Sequence, residues 1–143
     1  VVALDGAPGV RSARFGGRGL SDHERAERLL SAIYDATRPR RAWFQCALAA
    51  ALPASWLLQP DAHPAAPGLP GDHRLVTAEG RLSGVIGDEL RGNKGFGYDP
   101  IFQPTGYGGA TLGEIDVDEK NRISHRAVAL AAFVALLVPR ILD

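Results

Sequence analysis

Two stretches of the 143-residue chain carry side chains that could do chemistry. In Gly95-Phe96-Gly97-Tyr98-Asp99-Pro100, glycines flank an aromatic, so the backbone can approach a flat ligand while Phe96 offers a stacking face and Asp99 an acceptor. A purine base suits that arrangement; an ordinary tight loop with Phe96 and Tyr98 filling the core is the other reading of the same residues. The second stretch, Lys120-Asn121-Arg122-Ile123-Ser124-His125-Arg126, gathers Lys120, His125 and Arg126 around the start of a helix, where backbone amides attract anions. Lysine as a point charge, arginine as a planar fork and histidine as a donor suit a phosphate or nucleobase site, against the alternative of a solvated basic turn capped by Ser124. Neither the dinucleotide pattern G-x-G-x-x-G nor a Walker loop is present. His23, His63 and His73 have no partner at metal-ligand spacing and read as surface histidines. Asp116, Asp118 and Glu119 could draw a divalent cation, but a helix N-terminus also favours acids, and capping is the reading adopted.

The elements that must position these residues belong to one domain spanning residues 1–143. The 16 Lys+Arg balance the 16 Asp+Glu, and 45% of residues are hydrophobic, which describes a globular chain. With no excess of positive charge, polymeric nucleic acid is not an expected partner. Nor is a membrane, because the longest apolar run, Ala127 to Val138, falls short of the roughly 20 residues a spanning helix needs. The single Cys46 excludes an internal disulfide, reads as a buried thiol and fits a cytoplasmic location. No secretory signal is visible, and the chain lacks methionine and opens inside an apolar segment, Val1 to Leu4, so a partial sequence is expected.

Turn signals at Ala7-Pro8-Gly9 and Gly16-Gly17-Arg18-Gly19 predict a loop-rich entry. Ser21 with Glu24 forms a capping box, and Ala26, Leu29, Leu30 and Ile33 continue a helix expected to end after Thr37 or Arg38, before Pro39. Ala42 to Leu52 reads as a buried strand, and residues 53–73 as a proline-rich loop. Arg74 to Ala78 and Leu82 to Ile86 read as a hairpin turning at Glu79-Gly80-Arg81, with Gly84 in its second strand. Ile101-Phe102 reads as a short strand ending at Pro104. Asp116 and Glu119 form a D-x-x-E helix start, and Ser124 precedes a final helix apolar most of the way round, which predicts burial in the core.

Taken in order, Gly6-Ala7-Pro8-Gly9-Val10-Arg11-Ser12-Ala13-Arg14-Phe15, then Gly95 to Phe102, then Gly113-Glu114 and Lys120 to Ala127 resemble the noncanonical purine nucleoside triphosphate pyrophosphatases, the inosine triphosphatase family. The resemblance runs across nearly the whole chain. It implies an α/β fold with a long mixed β-sheet, flanking helices and two lobes about a cleft, assembled as a homodimer. It also implies hydrolysis of ITP, dITP or XTP to the monophosphate and pyrophosphate, by magnesium-dependent attack of water on the α-phosphorus, which cleanses the nucleotide pool. On this basis Phe96 stacks on the base, Gly97, Tyr98 and Asp99 complete the base-side loop, and Lys120, His125 and Arg126 read the 6-oxo side and hold the nucleotide, all in one cleft. Donors aimed at O6 accept inosine and xanthine, whereas the 6-amino group of adenine leaves them unpaired at roughly 1–3 kcal/mol per group.

The family's T-G-N-x-x-K strand and loop, its acidic helix ligand and its D-D-S-G motif are absent here, and the last would stand immediately before Val1. No catalytic or metal-ligating residue is therefore assigned in this chain, Asp5 is no substitute, and the Mg2+ ligands are expected in a missing N-terminal part. Loss of that part would leave an unpaired sheet edge and an uncovered apolar face. The alternative to an enzyme is a noncatalytic nucleotide-binding or dimerising remnant of the family.

Overall fold

Ser21 begins the first helix as the sequence predicts. In the computed structural model, which describes residues 1–69 and 71–137, helix α1 runs Asp22–Ala32. Ser21 Oγ accepts from the Glu24 amide at 3.2 Å, and the Ser21 amide donates back to Glu24 Oε2 at 2.7 Å. The helix stops well before the expected Thr37 or Arg38. The Ile33 amide is shared among the carbonyls of Leu29, Leu30 and Ser31, which tightens the last turn, and beyond buried Ile33 the next inward positions offer only Ala36 and Thr37, too little apolar surface to prolong it. Pro70 in the proline-rich stretch and Val138 at the end of the apolar run lie outside the described residues.

Three strands follow, β1 (Arg41–Pro53), β2 (His73–Ile86) and β3 (Phe102–Pro104), hydrogen-bonded in the order β1-β2-β3. Strand β3 pairs antiparallel with β2, Gly84 opposite Pro104 and Ile86 opposite Phe102. Beside β1, the Ile86 amide donates to the Arg40 carbonyl at 2.9 Å and the Ala54 amide to the Asp72 carbonyl at 2.8 Å, so residue numbers run in opposite senses and this pair is antiparallel too. The α/β class stands, with an antiparallel sheet of three strands among the described residues. The expected hairpin at Glu79-Gly80-Arg81 is instead the middle of continuous β2. Its even positions from Val76 to Gly80 are buried and the odd ones exposed without interruption. Gly80 serves close approach and not a turn: a Cβ there would lie 2.1 Å from the His125 carbonyl oxygen and 2.3 Å from the Ala129 amide nitrogen. Strand β1 is present but is not buried throughout. It is an edge of the described sheet, its burial alternates, and within it Ala42 alone is fully buried.

The described chain divides into two units. The first comprises Val1–Phe44 and Leu82–Arg122. Its buried apolar set includes Ala26 and Leu29 of α1 and Ile33 just after it, with Ile101, Phe102, Leu112 and Ile115, and the rings of Phe44 and Phe102 meet at 4.7 Å, tilted by 51°. Two buried arginines stitch its loops. Arg25 donates to the carbonyls of Phe15 and Leu20, both at 2.8 Å, and Arg40 to those of Gly87 at 3.0 Å and Tyr34 at 3.2 Å, so each guanidinium keeps partners away from water. The N-terminal stretch is loop-rich as expected, with short 3-10 turns at Val2–Leu4 and Gly9–Arg14.

The second unit comprises Gln45–Arg81 and, among the described residues, 123–137. Its proline-rich connection contains 3-10 turns at Ala54–Trp56 and Pro60–Ala62, then lies along the start of β2 through Ala66 N to His73 O at 2.9 Å and Leu75 N to Pro64 O at 2.8 Å. Helix α3 (His125–Val134) starts where expected, with Ser124 Oγ accepting from the Ala127 amide at 3.1 Å. It is not a core helix. Ala129 is its one fully buried residue, while Val128 and Leu130 are 42% and 56% exposed. The close approach of Gly80 explains this, because only a small residue fits between the two backbones and the larger side chains stand aside. No helix among the described residues is long and apolar enough to cross a membrane.

A Cβ at Gly84 would fall 2.2 Å from the Gln103 carbonyl oxygen and 2.8 Å from the Phe102 ring. Gly84→Ala is therefore expected to lower stability by about 1–3 kcal/mol, read as a reduced midpoint in urea unfolding.

Candidate functional site

The glycine-rich loop separates its two aromatics. Tyr98 is turned inward, 8% exposed, and its hydroxyl donates to the Ser12 carbonyl at 2.9 Å; burial raises the phenol above its ordinary pKa. Phe96 is turned outward and is 59% exposed. The left-handed backbone at Gly95 (φ 96°) and Gly97 (φ 62°) allows adjacent aromatics to face opposite ways.

Beneath Phe96 lies an enclosed ion pair. Asp99, 8% exposed, accepts at Oδ2 from Lys120 Nζ at 3.2 Å and from the Phe96 amide at 3.2 Å. Gly95 covers the pair so closely that a Cβ there would sit 2.1 Å from Asp99 Oδ2 and 2.4 Å from Lys120 Nζ. On the outer side the Gly97 amide donates to Asp22 Oδ2 of α1 at 2.7 Å. The backbone is tied to Gly113 from both ends, through Lys94 N to Gly113 O and Gly113 N to Asp99 O, each 3.0 Å.

Lys120 reaches Asp99 from helix α2 (Val117–Ile123). Asp116 starts that helix, accepting at Oδ1 from the Asp118 amide at 3.0 Å, so capping holds for this acid. Glu119 does something other than close a D-x-x-E start. It receives the Tyr107 hydroxyl, and Arg122 Nε and Nη2 at 2.9 Å and 2.7 Å, tying the turn around Gly106 to α2. Hydrogen bonds from Arg122 and then Tyr107 hold the Glu119 carboxyl down at about 2, and the same bond to Glu119 raises the Tyr107 phenol.

The structure thus gathers Phe96, Gly97, Tyr98, Asp99 and Lys120 in the first unit. His125 and Arg126 open α3 in the second unit, directly after the Ser124 cap. Sequence reasoning gave no role to Asp22 or Tyr107. The Asp22 bond spans 75 residues, so no local pattern signals it, whereas the Tyr107-to-Glu119 bond, 12 residues apart, follows a glycine-bounded turn that could have suggested it.

The implied magnesium finds no cage here. Among the described residues no three His, Cys, Asp or Glu side chains gather to hold a metal. The acids nearest the loop are already engaged: Asp99 by Lys120, Asp22 by Gly97 and Glu119 by Arg122 and Tyr107. These residues do not fit a magnesium site.

A model of the Ham1 family matches residues 1–136. A dITP/XTP pyrophosphatase of Chromobacterium violaceum is 42% identical over 137 residues, covering 96% of this chain and 60% of that protein; one of Porphyromonas gingivalis is 37% identical, covering 92% and 57%. Among solved structures, the Ham1 protein of Staphylococcus aureus superposes with a TM-score of 0.74 at 32% identity, over 94% of this chain and 60% of the other. A HAM1 protein from Coxiella burnetii gives 0.71 at 37% identity, over 91% and 58%. The chain spans between 52% and 60% of the length of the curated relatives it matches.

The Glu119 clasp carries a pH signature. A carboxyl whose folded pKa is depressed from 4.5 to about 2 stabilises the fold above 4.5 and loses that contribution as pH falls through 2. The difference in melting temperature between wild type and Glu119→Gln is expected to be full near neutrality and to shrink across that window.

Proposed function

The chain belongs to the Ham1 family, and on that premise we propose that it is the base-recognising part of a hydrolase that splits noncanonical purine nucleoside triphosphates, ITP, dITP or XTP, into the monophosphate and pyrophosphate. The observation that carries this reading is Phe96: an aromatic residue 59% exposed, on a loop fixed by backbone hydrogen bonds and an enclosed ion pair. A large apolar ring held away from the core is a ready face for a purine. The names of the relatives, dITP/XTP pyrophosphatase, support the choice of purine.

Each residue then has a distinct task. Phe96 stacks on the base, Gly97 lets the chain turn beneath it, and Tyr98 and Asp99 brace the loop from inside. Lys120, His125 and Arg126 supply donors to the 6-oxo edge and the nucleotide's negative charge. The two faces of Lys120's role are compatible, because an ammonium has three N–H groups and Asp99 accepts one. We assign the magnesium ligands and the attack on the α-phosphorus to the part of the family's length that this chain does not span. A homodimer and a cytoplasmic location, both taken from the family resemblance and the nucleotide-pool role, complete the proposal.

Thermal unfolding with ITP and ATP tests the proposal. A ligand that binds only the native state stabilises by about 2.7 kcal/mol at a hundredfold excess over Kd, so ITP is expected to raise Tm and ATP, at equal concentration, to raise it far less. Phe96→Ala should weaken ITP binding and reduce the ITP shift without abolishing it, and equal shifts with both nucleotides would contradict the assignment. Pyrophosphate release from ITP with magnesium, from this chain alone, would overturn the placement of the metal site outside it.

A further inference from the structure

Phe96 is 59% exposed. The direction of its Cα–Cβ bond is set by the backbone, through the two planar peptide groups flanking it. Each is pinned through its amide by a carboxylate: the Phe96 N–H by Asp99 Oδ2 at 3.2 Å, and the Gly97 N–H by Asp22 Oδ2 at 2.7 Å. Asp99 belongs to the loop itself. Asp22 comes from another element, and its bond is the shorter of the two.

The start of α1 is built to deliver that carboxylate. Ser21 and Glu24 complete the capping box between themselves, leaving the Asp22 side chain at the first helical position for a donor outside the helix. Arg25, one turn on, is fastened to the Phe15 and Leu20 carbonyls, which fixes the chain entering the helix. The Tyr98 hydroxyl bond to Ser12 joins the same N-terminal stretch to the far side of the loop. We propose that Asp22 is a positioning residue, whose acceptance of the Gly97 amide fixes the peptide plane after Phe96 and with it the direction in which the Cα–Cβ bond carries the ring toward a base. This rests on the reading of Phe96 as the base platform given above, and it adds to that reading a residue that touches neither base nor phosphate.

The test uses the 143-residue chain and two readouts. Amide exchange at Gly97, measured by NMR without nucleotide, is expected to quicken about tenfold in Asp22→Ala. In Asp22→Asn, whose side-chain oxygen still accepts but whose charge at the helix start is gone, exchange is expected to return to within about twofold of wild type, which separates the hydrogen bond from any helix-dipole effect. Asp22→Glu, which keeps the charge and shifts the oxygens by a methylene, provides a second displacement should the alanine variant unfold, and its exchange is expected to lie between those two. The ITP Kd is expected to rise about fivefold in Asp22→Ala, but less than about twofold when the same change is made on Phe96→Ala, because the coupling exists only while the ring is present. Unchanged Gly97 exchange in a folded Asp22→Ala, or an equal loss of protection in Asp22→Asn, would overturn the proposal. Failure of the wild-type chain to bind ITP would instead overturn the base-platform reading, and Gly97 exchange would still decide whether Asp22 fixes the loop.

Discussion

A carboxylate as enclosed as that of Asp99, 8% exposed, is costly unless a cation and further donors reach it, and Lys120 and the Phe96 amide both do. Much of the first unit follows from that requirement. Lys120 must arrive from α2, so α2 must be held, and the Asp116 cap and the Tyr107-Glu119-Arg122 cluster hold it. The pair must be roofed at close range, so residue 95 must be glycine. Phe96, its amide committed to Asp99, stands 59% exposed on this braced loop.

The second recurring device is close backbone approach. At Gly92 a Cβ would lie 2.1 Å from the Gly113 carbonyl oxygen, so these two glycines let the base-side loop run directly against the segment that carries Glu114. In the second unit Gly80 plays the same part against α3, which brings His125 and Arg126 onto a helix seated on β2 through Ala129. At Gly80 removal of a side chain, and not a turn, is what the glycine supplies, whereas Gly92 also takes a left-handed φ of 77°.

This distinction marks the boundary of what was legible in the sequence. Local signals read well: the Ser21-Glu24 box, the Ser124 cap, the strand after Pro39 and the short strand at Phe102 all rest on residues within a few positions of one another. Gly80 was misread because a glycine between two β-type runs looks the same whether it turns or admits a neighbouring helix, and only the tertiary partner decides. The end of α1 was misplaced because proline marks where a helix cannot continue, while the lack of apolar residues after Ile33 ends it sooner. The apolar look of α3 overstated its burial for a similar reason, since periodicity reports which residues are apolar and not how closely a strand approaches. In the candidate site, the glycine-aromatic spacing announced a loop able to offer a ring. It could not say that Phe96 and Tyr98 part company, nor that a carboxylate 75 residues away would hold the Gly97 amide.

The most direct measurement is a crystal structure of this chain with an inosine nucleotide. The account predicts the hypoxanthine ring lying flat against Phe96, with the Gly95–Asp99 loop unmoved and Lys120 still on Asp99. A nucleotide seated elsewhere, for example in the groove between Phe15 and Arg28, with Phe96 left bare, would contradict it.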